Sequence, residues 1–126
     1  MRFFLLLFSA YSMSSLVSLA LPKYNFDVKP ILSDRCYHCH GPDKETRKAK
    51  LRLDTEEGIK KALEGGELIA RITSDDPDEV MPPPESKLSV DSDEIETLRQ
   101  WIDAGGNVDS HRSFMPIEKI EVPSDK

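Results

Sequence analysis

The five residues Cys36-Tyr37-His38-Cys39-His40 constrain this chain more than any other stretch. Two cysteines three apart, with a histidine directly after the second, form the pattern on which a c-type haem is attached. The spacing has a physical basis. On a helical turn, positions i, i+3 and i+4 share a face, so Cys36, Cys39 and His40 are expected to point the same way. The two thiols can add to the two vinyl groups of one haem, and the imidazole of His40 then serves as the proximal iron ligand. Tyr37 and His38 are expected to point elsewhere, leaving their identities nearly free. Two other readings compete. Half of a zinc site would need a second Cys/His pair, and His38 and His111 do not form one. A redox dithiol would need a βαβ context, which the flanking sequence lacks.

Residues 1–20 read as a secretory signal. Arg2 is the positive start, residues 3–8 are apolar, and Ser18-Leu19-Ala20 is a small-x-small cleavage site. The competing reading is an uncleaved anchor, since residues 3–21 nearly reach the length of a bilayer span. Five serines interrupt the segment, which favours cleavage and a periplasmic or otherwise exported chain with no stable membrane span. In an oxidising compartment two lone cysteines would tend to pair, yet a disulfide within one helical turn is strained. Haem attachment uses both thiols and removes that conflict. Of the 126 residues, about 106 then remain, a size at which a bound haem adds apolar surface to a limited core. Loss of Arg2 takes the net charge from −6 to −7, which makes nucleic acid a poor partner.

Residues 24–35 read as a short amphipathic helix running into the cysteine motif. Asp27 is the expected N-cap, Pro30 falls in the first turn, and Phe26, Ile31 and Leu32 supply apolar positions. The helix is expected to run on to about His40 and stop at Gly41-Pro42. Residues 43–50 form a polar loop with Lys44, Arg47, Lys48 and Lys50 against Asp43 and Glu45. It is either an ordinary solvated face or a docking surface. Leu51-Arg52-Leu53 is expected to be extended. Asp54 or Thr55 then caps a helix over 56–64, with Glu57 completing a capping box from Asp54, and Gly65-Gly66 ends it. Leu68, Ile69 and Ile72 predict one more short helix.

Met81-Pro82-Pro83-Pro84 follows. A thioether sulfur suits haem iron, and a stiff proline run after Met81 would present it as the second axial ligand. The plainer reading is a core methionine. Met115 and His111 are rivals for the ligand role. The last strong element is a helix over 92–104. Asp91 and Glu94 form a capping box, Val90 and Ile95 a hydrophobic staple, and Gly105-Gly106 the stop. Ile95, Leu98 and Ile102 make an apolar stripe with Trp101 at its edge, expected to pack on the first helix. Residues 110–126 read as a tail or linker.

Taken in order, Cys-x-x-Cys-His-Gly, Leu51-Arg52-Leu53-Asp54-Thr55, a Gly-Gly, Leu68-x-x-Arg71-Ile72, Met81-Pro82-Pro83 and the Trp101-Ile102 helix resemble the planctomycete-type cytochrome c domain, over residues 26–106. The resemblance implies that Cys36 and Cys39 attach haem, that His40 ligates iron and that Met81 is the second ligand. Such domains usually open a longer exported polypeptide, and residues 111–117 look like the linker that follows them, with Arg112 where an aromatic is more usual.

The expected fold is therefore all-α and cytochrome c-like, three to five short helices around one covalently bound haem c. A signal occupies 1–20, the domain 21–109 and a tail 110–126. The expected function is one-electron transfer to a redox partner protein that the sequence does not identify. The alternatives are a haem enzyme or ligand sensor with an open distal site, or a recognition module of a larger exported protein.

Overall fold

Tyr24, Val28, Ile31 and Leu32 recur at i, i+4, i+7 and i+8, the spacing that gathers side chains on one side of a helix. In the computed structural model, which describes residues 20–109, these four side chains are buried together. The expected signal, up to Leu19, and the expected tail lie outside the described residues. The chain enters through a π-helical turn, Tyr24–Val28, and continues as α1, Lys29–Arg35. Lys23 occupies the N-cap position, and its N–H donates to the Asp27 carboxylate at 2.6 Å. Asp27 is thus inside the first turn rather than before it, where a carboxylate meets the free N–H groups of the helix start. Phe26, expected in the core, is 52% exposed, because the row that faces inward runs through Tyr24 and Val28.

The expected single helix is broken at Cys36, whose φ of −120° and ψ of −33° separate α1 from the four-residue α2, Tyr37–His40. After an irregular return through residues 41–55, in which 51–53 form no strand, α3 spans Glu56–Leu63. Thr55 caps it, its hydroxyl oxygen accepting from the Gly58 N–H at 3.2 Å. Asp54 is instead paired with Arg52, so the expected box between Asp54 and Glu57 does not form. A 3-10 turn, Glu64–Gly66, passes through the left-handed φ of both glycines and leads into α4, Glu67–Ile72. A second 3-10 turn, Pro84–Ser86, follows the strap that carries Met81. The last helix, α5, runs Ser92–Asp103 and starts with the expected capping box of Asp91 and Glu94.

The core comprises Tyr24, Val28, Ile31, Leu32, Leu53, Ile59, Ala62, Ile72, Leu98 and Trp101. Trp101 is central rather than peripheral. It is 3% exposed, its ring centroid lies 5.9 Å from that of Tyr24, and its indole N–H donates to the Asn107 carbonyl at 2.9 Å. Aromatic pairs at this separation add about 0.5–1.5 kcal/mol beyond their buried area. α5 is thereby fixed against the entry turn. Among the described residues there is no strand, and no helix is long and apolar enough to cross a membrane.

Candidate haem site

The break at Cys36 shapes the attachment motif. The Cys36 N–H closes α1 on the Leu32 carbonyl at 2.9 Å, and its own carbonyl accepts from Cys39 at 3.1 Å and His40 at 2.8 Å. Those two bonds restore the one-turn spacing that periodicity predicts, and Cys36, Cys39 and His40 line one cavity. Gly41 follows because nothing larger fits: a Cβ there would collide with the Tyr37 carbonyl oxygen. The returning loop is then bonded back onto the motif. Lys48 donates to the Cys39 carbonyl at 2.8 Å and Leu53 to that of His40 at 2.7 Å. The Arg47 guanidinium caps the carbonyls of Gly41 and Pro42. Between Lys48 and Leu51, whose backbone bond spans 3.2 Å, Ala49 and Lys50 both adopt positive φ, near 51° and 54°. That turn brings Ala49 to the cavity and leaves Lys48 and Lys50 exposed.

The end of α1 is pinned to the start of α5. Arg35 reaches Glu94 through Nε at 3.1 and 3.2 Å and through a terminal nitrogen at 2.8 Å. The same carboxylate accepts from the Asp91 N–H at 3.0 Å as part of the capping box. One side chain therefore starts α5 and locates the residue before Cys36.

The cavity has a volume of about 370 Å³, within the usual range for a bound cofactor. Leu51, Leu53, Ala62, Leu68, Ile72 and Leu88 make most of its lining apolar. Met81, Pro82 and Pro83 supply the strap side. Met81 is located by its N–H, which donates to the Arg71 carbonyl at 3.0 Å. The proline run does not continue extended: it bends at Pro84, and Ser86 closes the bend by donating its hydroxyl to the Pro83 carbonyl at 2.7 Å.

Burial sets the protonation of the candidate ligands. The Cys36 thiol is pushed up to about 11 by desolvation, with Glu94 adding to the rise and Arg35 opposing it. Both cysteines are free thiols. Burial also lowers the pKa of His40, although the backbone at Lys48 and Leu51 favours its charged form. A neutral ring is the form that ligates a metal. Its Nδ1 is buried without a hydrogen-bond partner among the described residues. Two thiols, a neutral imidazole, a thioether and an apolar lining make a set that fits haem c.

One expectation fails here. Tyr37 is not free: it packs on the core, its hydroxyl is buried near that of Tyr24, and desolvation raises its pKa well above the usual value. His38 is exposed and is among the residues that line the cavity. Met115 and His111 lie outside the described residues. Arg71 also lines the cavity, a residue that the sequence motif Leu68-x-x-Arg71-Ile72 includes without giving it a role. Its signal is the helical spacing of Leu68, Arg71 and Ile72, which places a cation on the face that α4 turns to the cavity.

Residues 36–85, from the first cysteine to the residue after the proline run, match a family model described as Planctomycete cytochrome C. No curated protein and no solved structure matches the chain. With that match, the all-α architecture is of the cytochrome c-like class.

Proposed function

The chain carries a planctomycete-type cytochrome c domain, and from that premise we propose that it is an exported one-electron carrier with one haem c. Cys36 and Cys39 would hold the haem through thioether bonds, and His40 and Met81 would supply the nitrogen and sulfur donors to its iron. The observation that supports this assignment is that all four side chains line one cavity of about 370 Å³. When bound, haem c supplies an iron that passes between ferrous and ferric states.

The chain's own residues do the rest. Cys36 and Cys39 fix the cofactor in one orientation, because their separation is set by the backbone bonds to the Cys36 carbonyl. His40 offers a neutral nitrogen, since burial opposes its protonation. Met81 offers a soft sulfur that favours the ferrous state and so raises the potential. Leu51, Leu53, Ile72 and Leu88 keep water from the site and lower its dielectric. Residues 1–20 direct export and are removed, residues 21–109 form the carrier, and residues 110–126 are a tail. The partner is a second redox protein.

The test is production in a periplasm that contains haem-attachment machinery, followed by denaturation and a pyridine haemochrome spectrum. One haem per chain, retained by the denatured polypeptide, is expected. Extraction of all the haem into acidified organic solvent would overturn the proposal.

A further inference from the structure

The cavity is apolar over most of its lining, yet a haem brings two propionate carboxylates. A carboxylate placed against apolar surface is costly unless a cation pairs with it. Two guanidinium groups line the cavity, Arg35 and Arg71, and they differ in how far they are committed. Arg35 holds Glu94 with three contacts of 2.8–3.2 Å, so its donors on that side are used. Arg71 is loosely held. Its Nε stands 3.6 Å from the Glu67 carboxylate, beyond hydrogen-bond length, and its Nη1 stands 3.5 Å from the Glu79 carbonyl. The backbone of Arg71 is well fixed, because its carbonyl accepts the Met81 N–H at 3.0 Å. A guanidinium with a fixed base and a weakly engaged head, at the edge of an apolar cavity, is suited to a planar carboxylate that arrives with a ligand.

We propose that Arg71 binds a haem propionate, giving up its long contact with Glu67 to do so. This rests on the haem reading above. Arg71 then joins the cofactor to the strap that carries Met81, since its side chain holds the propionate and its carbonyl holds the Met81 N–H. Glu67, on the preceding turn of α4, competes for the same cation.

The test uses ferrous, haem-loaded protein with isotope-labelled arginine. Proton NMR is expected to show the Arg71 Nε–H protected from solvent exchange and close in space to the propionate methylene protons. The reduction potential supplies a second readout. Arg71→Gln is expected to shift the ferric-to-ferrous ratio about tenfold toward ferric at a fixed ambient potential, which is about 59 mV for one electron. Arg71→Lys is expected to restore most of that shift, and Glu67→Gln to move the ratio the other way. An Arg71 Nε–H that exchanges freely and shows no contact with the propionates would overturn the proposal, whatever the variants do. So would equal loss of the Met81 ligand in Arg71→Gln and Arg71→Lys with no contact to haem, because Arg71 would then act only as a clamp on the strap. Failure of the parent reading is separate, since it appears as haem that leaves the denatured wild-type chain.

Discussion

The attachment stretch, residues 36–53, and the Met81 strap, residues 74–88, both face the cavity but are held in different ways. In the first, the carbonyls of Cys36, Cys39 and His40 all accept backbone N–H groups, and an arginine caps the two carbonyls that follow. In the second, Pro82, Pro83 and Pro84 have no N–H to donate, and the strap is tied to α4 through the Met81 N–H. The carbonyls of the attachment motif are thus bonded residue by residue, whereas Met81 sits between a turn closed on the Asp76 carbonyl by the Glu79 and Val80 N–H groups and a proline run without N–H groups, with its own N–H as the close bond to α4. Damage to the attachment stretch should disturb both cofactor and fold. Damage to the strap should alter the iron and leave the cofactor in place.

The largest effect is expected from replacing both thiols. Cys36→Ser with Cys39→Ser removes both bonds to haem and leaves the cavity without its filling. Soret absorbance is expected to disappear from the denatured chain, and the cooperative thermal transition of the haem-loaded protein to be lost. A double mutant that still melts cooperatively at the wild-type temperature would mean that the core stands without the cofactor.

Gly41→Ala should come next. The clash with the Tyr37 carbonyl is with backbone, which cannot swing aside, so overpacking is expected to cost about 1–3 kcal/mol. Chemical denaturation of the haem-loaded protein measures it. A stability equal to wild type would show that the attachment stretch is less rigid than its hydrogen bonds imply.

Met81→Ala sharpens the contrast from the other side. Haem should remain covalently attached, while ferrous protein gains carbon monoxide binding and the potential falls with loss of the sulfur. Visible spectra identical to wild type in both oxidation states would take Met81 out of the ligand set.

The smallest effect is expected at the exposed turn of the attachment stretch. Reversal of Lys48 and Lys50 to Glu should slow electron exchange with an acidic partner at low salt without changing the spectra. The difference should shrink near physiological ionic strength, where screening acts within about 8 Å. Equal rates at low salt with acidic and basic partners alike would make this loop an ordinary solvated face.

Much of this arrangement was legible in the sequence, and the rest was hidden for physical reasons. Asp91 and Glu94 announced α5 because a capping box is local, and Gly65-Gly66 and Gly105-Gly106 marked helix ends through their access to positive φ. That Cys36, Cys39, His40 and Met81 line one cavity agrees with the grouping that donor chemistry and spacing suggest. The entry helix is expected over 24–35 with Asp27 as its cap, whereas Asp27 lies inside the first turn. Its apolar positions read as Phe26, Ile31 and Leu32, which passes over the inward row of Tyr24, Val28, Ile31 and Leu32 because Phe26 is chosen on size alone. The stripe of α5 alone leaves Trp101 at an edge, because the ring it packs against, Tyr24, lies 77 positions away in the entry turn. Motif spacing describes one face of a turn and says nothing of what packs on the other, so it leaves Tyr37 free where the core takes it up. The second role of Glu94, holding Arg35, depends on a contact across 59 positions, and no local pattern carries it.

The comparison between the two stretches rests on a single claim, that the cavity joins His40 and Met81 on one iron. Near-infrared magnetic circular dichroism of the ferric, haem-loaded protein tests it most directly, because the charge-transfer band there depends on the pair of axial ligands. A low-spin band of the histidine–methionine type, lost in Met81→Ala, is the predicted result. A high-spin, five-coordinate ferric spectrum in the wild-type protein would contradict it and point to an open distal site suited to ligand sensing or catalysis.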